Sequence, residues 1–273
     1  MNEGRVAKSE PAGIPTRLVQ QDRIEAGIGF DWDLLPPYQT SLFGLPEDAE
    51  ELRFRRERKS HRGIRRFRSL RRLWLHSVNQ EFLEEVSELP AVEMLLIDRL
   101  TATDLRPLRS LRRLRRLIIE GGTKINDLDW VAELPPVEAL AIENFKRVSE
   151  LEPLASLTGL SALGVEGSTW TMMRVASLAP LARLKRLRRL FLTSLRVTDR
   201  SLQPLYALTD LEVLQCAAAF SDDEFIRLRR ALPRLRCDWF DVIDRYGSIE
   251  ESFRVQFGSA TKKGECPDDD RST

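Results

Sequence analysis

One short apolar phrase recurs nine times in this chain, and it leaves little freedom in how the chain can fold. The phrase reads leucine-x-x-leucine-x-leucine, with other aliphatic residues substituting, and it begins at Ala49, Leu70, Val92, Leu114, Val137, Leu160, Leu187, Leu211 and Leu235. Successive starts lie 21, 22, 22, 23, 23, 27, 24 and 24 residues apart. Self-similarity at such a period belongs to solenoids, because a unit this small cannot bury its apolar side alone and must stack on its neighbours.

The interior of one unit shows how it is built. Across residues 105–119, Leu105, Leu108, Leu111 and Leu114 recur every third position, after which Leu117 and Ile119 alternate. A period near three suits a short 3₁₀ or α turn, and a period of two suits a strand. The same pattern runs through Leu151–Val165, Leu178–Leu192 and Leu202–Cys216, with an earlier copy at Ile64–Leu75. These residues resemble the leucine-rich repeat proteins, in particular the short-repeat, internalin-like class, over about 190 of the 273 residues. The resemblance implies an α/β fold: a right-handed solenoid, or horseshoe, with a parallel concave β-sheet and short helical or 3₁₀ convex segments. One departure stands out. The family carries Asn or Cys three places after the last leucine of the phrase, where it bonds the turn backbone. Here those positions are Val78, Leu100, Gly122, Phe145, Ser168, Leu195 and Ala219, so the turn amides need other partners.

The pattern divides the chain into an N-terminal cap or extension (1–48), the solenoid (49–240), a C-terminal cap (241–257) and a polar tail (258–273) expected to be disordered. Ile28, Phe30, Trp32, Leu34 and Leu35 are expected to cover the first coil, and residues 221–232 read as a capped amphipathic helix. In the last repeat either Cys237 or Phe240 fills the inward slot. A formal net charge of +1 provides no global field for nucleic acid or an anionic membrane. No apolar run approaches the roughly 20 residues that span a bilayer. Residues 1–20 show no secretory apolar region, and three cysteines make no disulfide framework. A cytoplasmic protein is the expectation.

Within the phrase, positions one, four and six face the core, whereas five and seven face the concave side. Position five reads Arg53, Trp74, Leu96, Ile118, Ala141, Gly164, Phe191 and Gln215, with Trp239 a candidate for the ninth place. That is an apolar stripe where solvent is expected. Three readings are open: a partner's binding face, a face covered by the chain's own termini, or ordinary strand composition. Position seven reads Arg55, His76, Asp98, Glu120, Glu143, Glu166 and Thr193, with an acid in four successive repeats. At about 5 Å in water each neighbouring pair repels by only about 0.8 kcal/mol. A solvated face tolerates that, and a basic partner would relieve it. Position two alternates in sign through Glu50, Arg71, Glu93, Arg115 and Glu138, which reads as structural support between adjacent strands.

Catalytic chemistry is not encoded in any recognisable spacing. Residues 26–30 hold two glycines but lack the third that a phosphate loop needs. Neither His-Glu-x-x-His nor a pair of Cys-x-x-Cys motifs occurs. His76 beside Asp98 lacks a nucleophile. The expectation is a non-enzymatic scaffold with no cofactor, metal, membrane or small-molecule substrate. It would bind a protein or peptide of basic character on the concave face, through Trp74, Leu96, Ile118, Phe191, Asp98, Glu120, Glu143 and Glu166. The alternative is nucleic-acid contact through the first repeat, 53–72, which has eleven Lys or Arg against Glu57 alone. Phe54, Ile64, Phe67 and Leu70 thread that stretch at core spacing, and no recognition motif accompanies it. The long 27-residue interval holds Trp170, Met172 and Met173, with Trp170 expected to tuck into its own repeat.

Overall fold

The computed structural model describes residues 16–168 and 170–257. The expected disordered tail, 258–273, lies outside the described residues. Eight of the nine phrases become strands, while the ninth, from Leu235, makes only a bridge between Arg236 and Val213 before helix begins at Asp238. The first six are β1 (Glu51–Arg55), β2 (Arg72–His76), β3 (Met94–Asp98), β4 (Arg116–Ile119), β5 (Ala139–Glu143) and β6 (Ala162–Glu166). They are followed by β7 (Met173–Val175), β8 (Arg189–Leu192), β9 (Leu195–Val197) and β10 (Val213–Cys216). Eight of them form one parallel sheet in the order β1-β2-β3-β4-β5-β6-β8-β10. Equivalent positions pair in register: Leu73 with Leu95, Leu95 with Leu117, Leu117 with Leu140, and Leu140 with Leu163. All five leucines have no exposed surface.

The every-third leucines form 3₁₀ turns on the convex side, among them Arg106–Ser110, Glu152–Ser156, Ala179–Arg183 and Gln203–Ala207. Pro107, Pro153, Pro180 and Pro204 sit at the starts of these four turns. There a missing N–H costs nothing and the fixed φ suits the turn. One coil carries an α-helix instead, α2 (Gln80–Ser87), whose N-cap Asn79 accepts a side-chain bond from the Phe82 amide.

Strands end through a left-handed residue: Ser77, Arg99, Gly121, Asn144 and Ser194 have φ between 51° and 78°. The residue that follows points inward in place of the family's Asn, and Val78, Leu100, Phe145 and Leu195 are buried. The turn amides then bond the next coil's backbone: Ser77 N–H to Asp98 O at 2.9 Å and Asn144 N–H to Glu166 O at 2.9 Å. At Gly122 a Cβ would lie 2.2 Å from the Phe145 ring, so the glycine makes room for that side chain.

Both ends are closed. Gln39 bonds the outer edge of β1, its N–H to Arg53 O and its carbonyl to the Arg55 N–H, each at 2.8 Å. At the far end α3 (Asp222–Ala231) begins at Ser221, whose side chain accepts from the Glu224 amide. It leads into α4 (Asp238–Tyr246) and α5 (Ile249–Phe257). Cys237, Trp239 and Phe240 are all buried, so neither expected slot excludes the other.

The core leucines of the middle coils carry much of the stability. Truncating one of them removes its transfer energy and leaves a cavity, at about 2–5 kcal/mol. Leu117→Ala and Leu163→Ala are therefore each expected to lower the calorimetric Tm while the circular dichroism of the folded state stays unchanged. Neutral results at both would place these side chains outside the core.

Candidate functional site

The apolar stripe at position five does not face water. Helix α1 (Thr16–Glu25) and the residues after it cross the concave face from β10 back to β1. They create a second core, in which Ala26 and Ile28 pack with Trp74, Met94, Leu96, Ile118, Ala139, Ala141, Ala162 and Phe191, and Phe30 and Leu35 close its edge. Phe30 meets Trp74 edge to face at 5.8 Å. Ile28 lies over Gly164, where a Cβ would stand 3.4 Å from the Ile28 Cδ1. The two glycines of the 26–30 stretch are the stop of α1. Gly27 is left-handed at φ 74°, and a Cβ on Gly29 would lie 2.7 Å from the Arg23 side chain. The Ile28 and Gly29 amides both bond Arg23 O, at 3.0 and 2.8 Å.

This corrects the expectation of an open greasy hollow. Trp74, Leu96, Ile118 and Phe191 are 6%, 3%, 2% and 0% exposed. Of the expected N-terminal cover, Ile28 and Phe30 lie on the sheet and Trp32 stacks on Arg53 at the first coil, whereas Leu34 is 81% exposed. Burying one Ile or Phe is worth about 1.5–3 kcal/mol, so an uncovered stripe of this length would be the more costly arrangement.

Charge orients this segment, a strap across the sheet, as well. The acids of position seven run along one flank, and the arginines of position three, Arg72, Arg116 and Arg189, run along the other. Arg23 turns to the acid flank, where Nη1 donates to both Glu166 oxygens at 2.7 Å and the guanidinium lies 5.4 Å from the Phe191 ring centre. Glu25 turns to the basic flank and meets Arg189 at 3.3 Å. Asp22 pairs with Arg236 and accepts from Gln215 Nε2 at 3.0 Å. Glu166, expected to be open to a partner, is thereby buried and engaged; it also accepts from Thr193 Oγ1.

The remaining acids are differently placed. Asp98 lies 3.3 Å from His76 Nε2. Burial holds that imidazole below its ordinary pKa against the pull of Asp98. Glu120 and Glu143 are half-buried with no salt bridge to either carboxylate among the described residues. Burial first, then the Glu143 and Asp98 charges, push the Glu120 carboxyl up to about 7, with Arg23 opposing. Glu143 is raised by burial and then by Glu166, again opposed by Arg23. Among the described residues the acid flank thus contains two carboxylates in no salt bridge, on which Arg23 acts only from a distance.

Comparison with known proteins agrees with this architecture. No protein-family profile and no curated protein matches the sequence. Among solved structures, the chain is similar to internalin C2 of Listeria monocytogenes, with a TM-score of 0.51 and 22% identity over 64% of this chain and 73% of that one. It is also similar to a second internalin of that organism, InlF, with a TM-score of 0.52 and 19% identity over 68% of this chain and 52% of that one. The fold is that of the leucine-rich repeat proteins.

Elsewhere on the leucine-rich repeat solenoid, position two behaves as structural support: Arg71 meets Glu93 at 3.0 Å, and Arg188 and Glu212 pair in the same way. Trp170 corrects another expectation. It stands 93% exposed, because Met173 takes the inward slot at the start of β7 and is fully buried. The chain doubles back closely around Trp170, since a Cβ on Gly167 would lie 2.2 Å from Thr171 O. In the basic first coil Arg62, Arg65, Arg71 and Arg72 pair with Glu81, Glu88, Glu93 and Glu51. Arg53 and Arg55 lie over the Tyr38 ring.

Glu120 makes stability depend on pH in a defined direction. Its pKa is raised in the folded chain from 4.5 to about 7. The stability it supports is present below pH 4.5 and is lost as pH rises through 7, by about 3 kcal/mol at most. Glu120→Gln mimics the protonated form. It is expected to raise the Tm at pH 8 by roughly 5 °C and to leave it nearly unchanged at pH 4.5. Equal shifts at both pH values would mean that Glu120 is not ionising in a desolvated site.

Proposed function

We propose that this protein is a non-catalytic scaffold that binds another protein or peptide on the concave side of its leucine-rich repeats, through the acid flank beside the strap. Asp98, Glu120 and Glu143 are the residues that would meet the partner, and basic side chains are what they would receive. Trp74, Leu96, Ile118 and Phe191 serve by holding the strap, and Glu166 by anchoring Arg23. The observation that carries this reading is the pair Glu120 and Glu143, half-buried, adjacent and in no salt bridge among the described residues, with Arg23 acting on them only from a distance. An incoming arginine or lysine would neutralise carboxylates whose ionisation the fold opposes, so binding gains more there than at a solvated acid. The arginines of the first coil support nucleic-acid contact less, because most of those at residues 53–72 already hold a carboxylate, a carbonyl or an aromatic ring.

The reading is tested by affinity capture from the source organism with the wild-type chain and with Asp98→Lys/Glu120→Lys. The partner recovered by the wild type is then titrated against both at pH 6 and pH 8. A cation favours the ionised carboxyl, so wild-type affinity is expected to rise with pH. The charge-reversed variant is expected to bind at least about tenfold more weakly. A partner held equally by both proteins at both pH values would remove the acid flank as its site.

A further inference from the structure

A second cluster lies away from the concave face, where the first coil meets the second. His61 has no exposed surface, and neither ring nitrogen has a hydrogen-bond partner among the described residues. Its ring packs on Phe82 at 4.9 Å between centroids. A buried imidazole with two unbonded nitrogens is costly and rare. What faces it are the carboxylates of Glu81 and Glu85, one helical turn apart on α2, and one ligand atom from each of the three residues lies within 4.8 Å of the others.

We propose that His61, Glu81 and Glu85 form a binding site for a divalent transition-metal ion such as Zn²⁺, which clips the first coil to α2. The donor set suits the ion. Imidazole nitrogen and carboxylate oxygen ligate zinc at about 2.0–2.2 Å, and three protein ligands leave one position for water. His61 Nε2 is 3.9 Å from Glu81 Oε2. Tetrahedral ligands at those bond lengths stand about 3.4 Å apart, so a small rotation of the half-exposed Glu81 side chain closes the site. Burial keeps His61 below its ordinary pKa, hence neutral with a lone pair to give. Both carboxylates also accept hydrogen bonds from outside the cluster. Arg62 Nε and Nη2 grip only Oε1 of Glu81, at 2.9 and 2.7 Å, leaving Oε2 free. The Gly63 amide donates to Glu85 Oε2 at 3.3 Å. Such supporting bonds orient metal ligands in known sites. The cations acting on His61 are Arg56 and Arg62, and Lys59 acts on Glu81, in a cluster that two carboxylates and a neutral imidazole leave negative. Arg62 is spent on Glu81, and Arg56 Nε is bonded to Ser77 O at 2.7 Å. A tie here would strengthen the end of a solenoid, which has a neighbour on one side only.

The test is titration of the purified full chain with Zn²⁺ by calorimetry at pH 7.5, with the Tm recorded in parallel. The expected result is one ion per chain and a Tm rise of roughly 5 °C or more at a metal concentration about 100 times Kd. Mg²⁺ and Ca²⁺ are expected to do neither, as both avoid imidazole. Glu81→Gln/Glu85→Gln, which changes only side chains at the surface of α2, is expected to weaken binding at least tenfold; His61→Phe, which refills the apolar slot, is expected to do the same. If the latter fails to fold, the double variant decides. Co²⁺ bound in place of Zn²⁺ is expected to show no thiolate charge-transfer band. Absence of heat and of a Tm shift at 100 µM Zn²⁺, undiminished binding to the double variant, or a thiolate band would each overturn the site.

Discussion

An open parallel sheet has two faces, and this chain has made both of them apolar. The inward leucines dispose of one by stacking coil on coil. The other carries Trp74, Leu96, Ile118, Ala141 and Phe191 in register across neighbouring strands, and water cannot cover such a stripe cheaply. The N-terminal segment resolves this by lying along it. Ala26, Ile28 and Phe30 supply the apolar contact, and Arg23, Asp22 and Glu25 fix which way round the segment sits. Exchanging the two flanks would set Arg23 against arginines and Glu25 against glutamates.

That docking explains the unusual state of the acid flank. Several apolar side chains at about 1.5–3 kcal/mol each outweigh the roughly 3 kcal/mol that an ionised Glu120 withholds at high pH. The fold therefore tolerates carboxylates that it does not satisfy. Arg23 relieves Glu166 directly and Glu120 and Glu143 only at a distance. The chain's own segment thus has the composition, apolar with a basic residue, that the concave surface invites. The proposed partner adds positive charge where Arg23 does not reach.

The solenoid was legible because its signal is repeated: nine phrases in register determine inward and outward positions without any long-range information. Position two was legible for the same reason, since equivalent residues become neighbours. The strap was not. Residues 20–35 lack the repeat, and nothing local states that Ile28 packs against a sheet whose strands run from residue 51 to residue 216. The composition of the stripe was the available signal, and it was compatible with a partner and with the chain's own terminus alike. Trp170 misled because aromatic residues are usually buried, whereas the register of β7 gave the slot to Met173. His61 and the two glutamates escaped notice because the pair on α2 is ordinary helical spacing, and the histidine arrives from the preceding coil.

The central claim is that residues 20–30 are part of the folded body, packed on the sheet. Amide hydrogen exchange of the full chain, read on peptides covering that segment, tests it most directly. The Ala26, Gly27, Ile28 and Gly29 amides are bonded within the end of α1, so exchange is expected to be slowed at least about a hundredfold against an unstructured chain. Exchange at the unstructured rate, with β4 and β5 still protected, would show that the concave face stands open and would contradict the account.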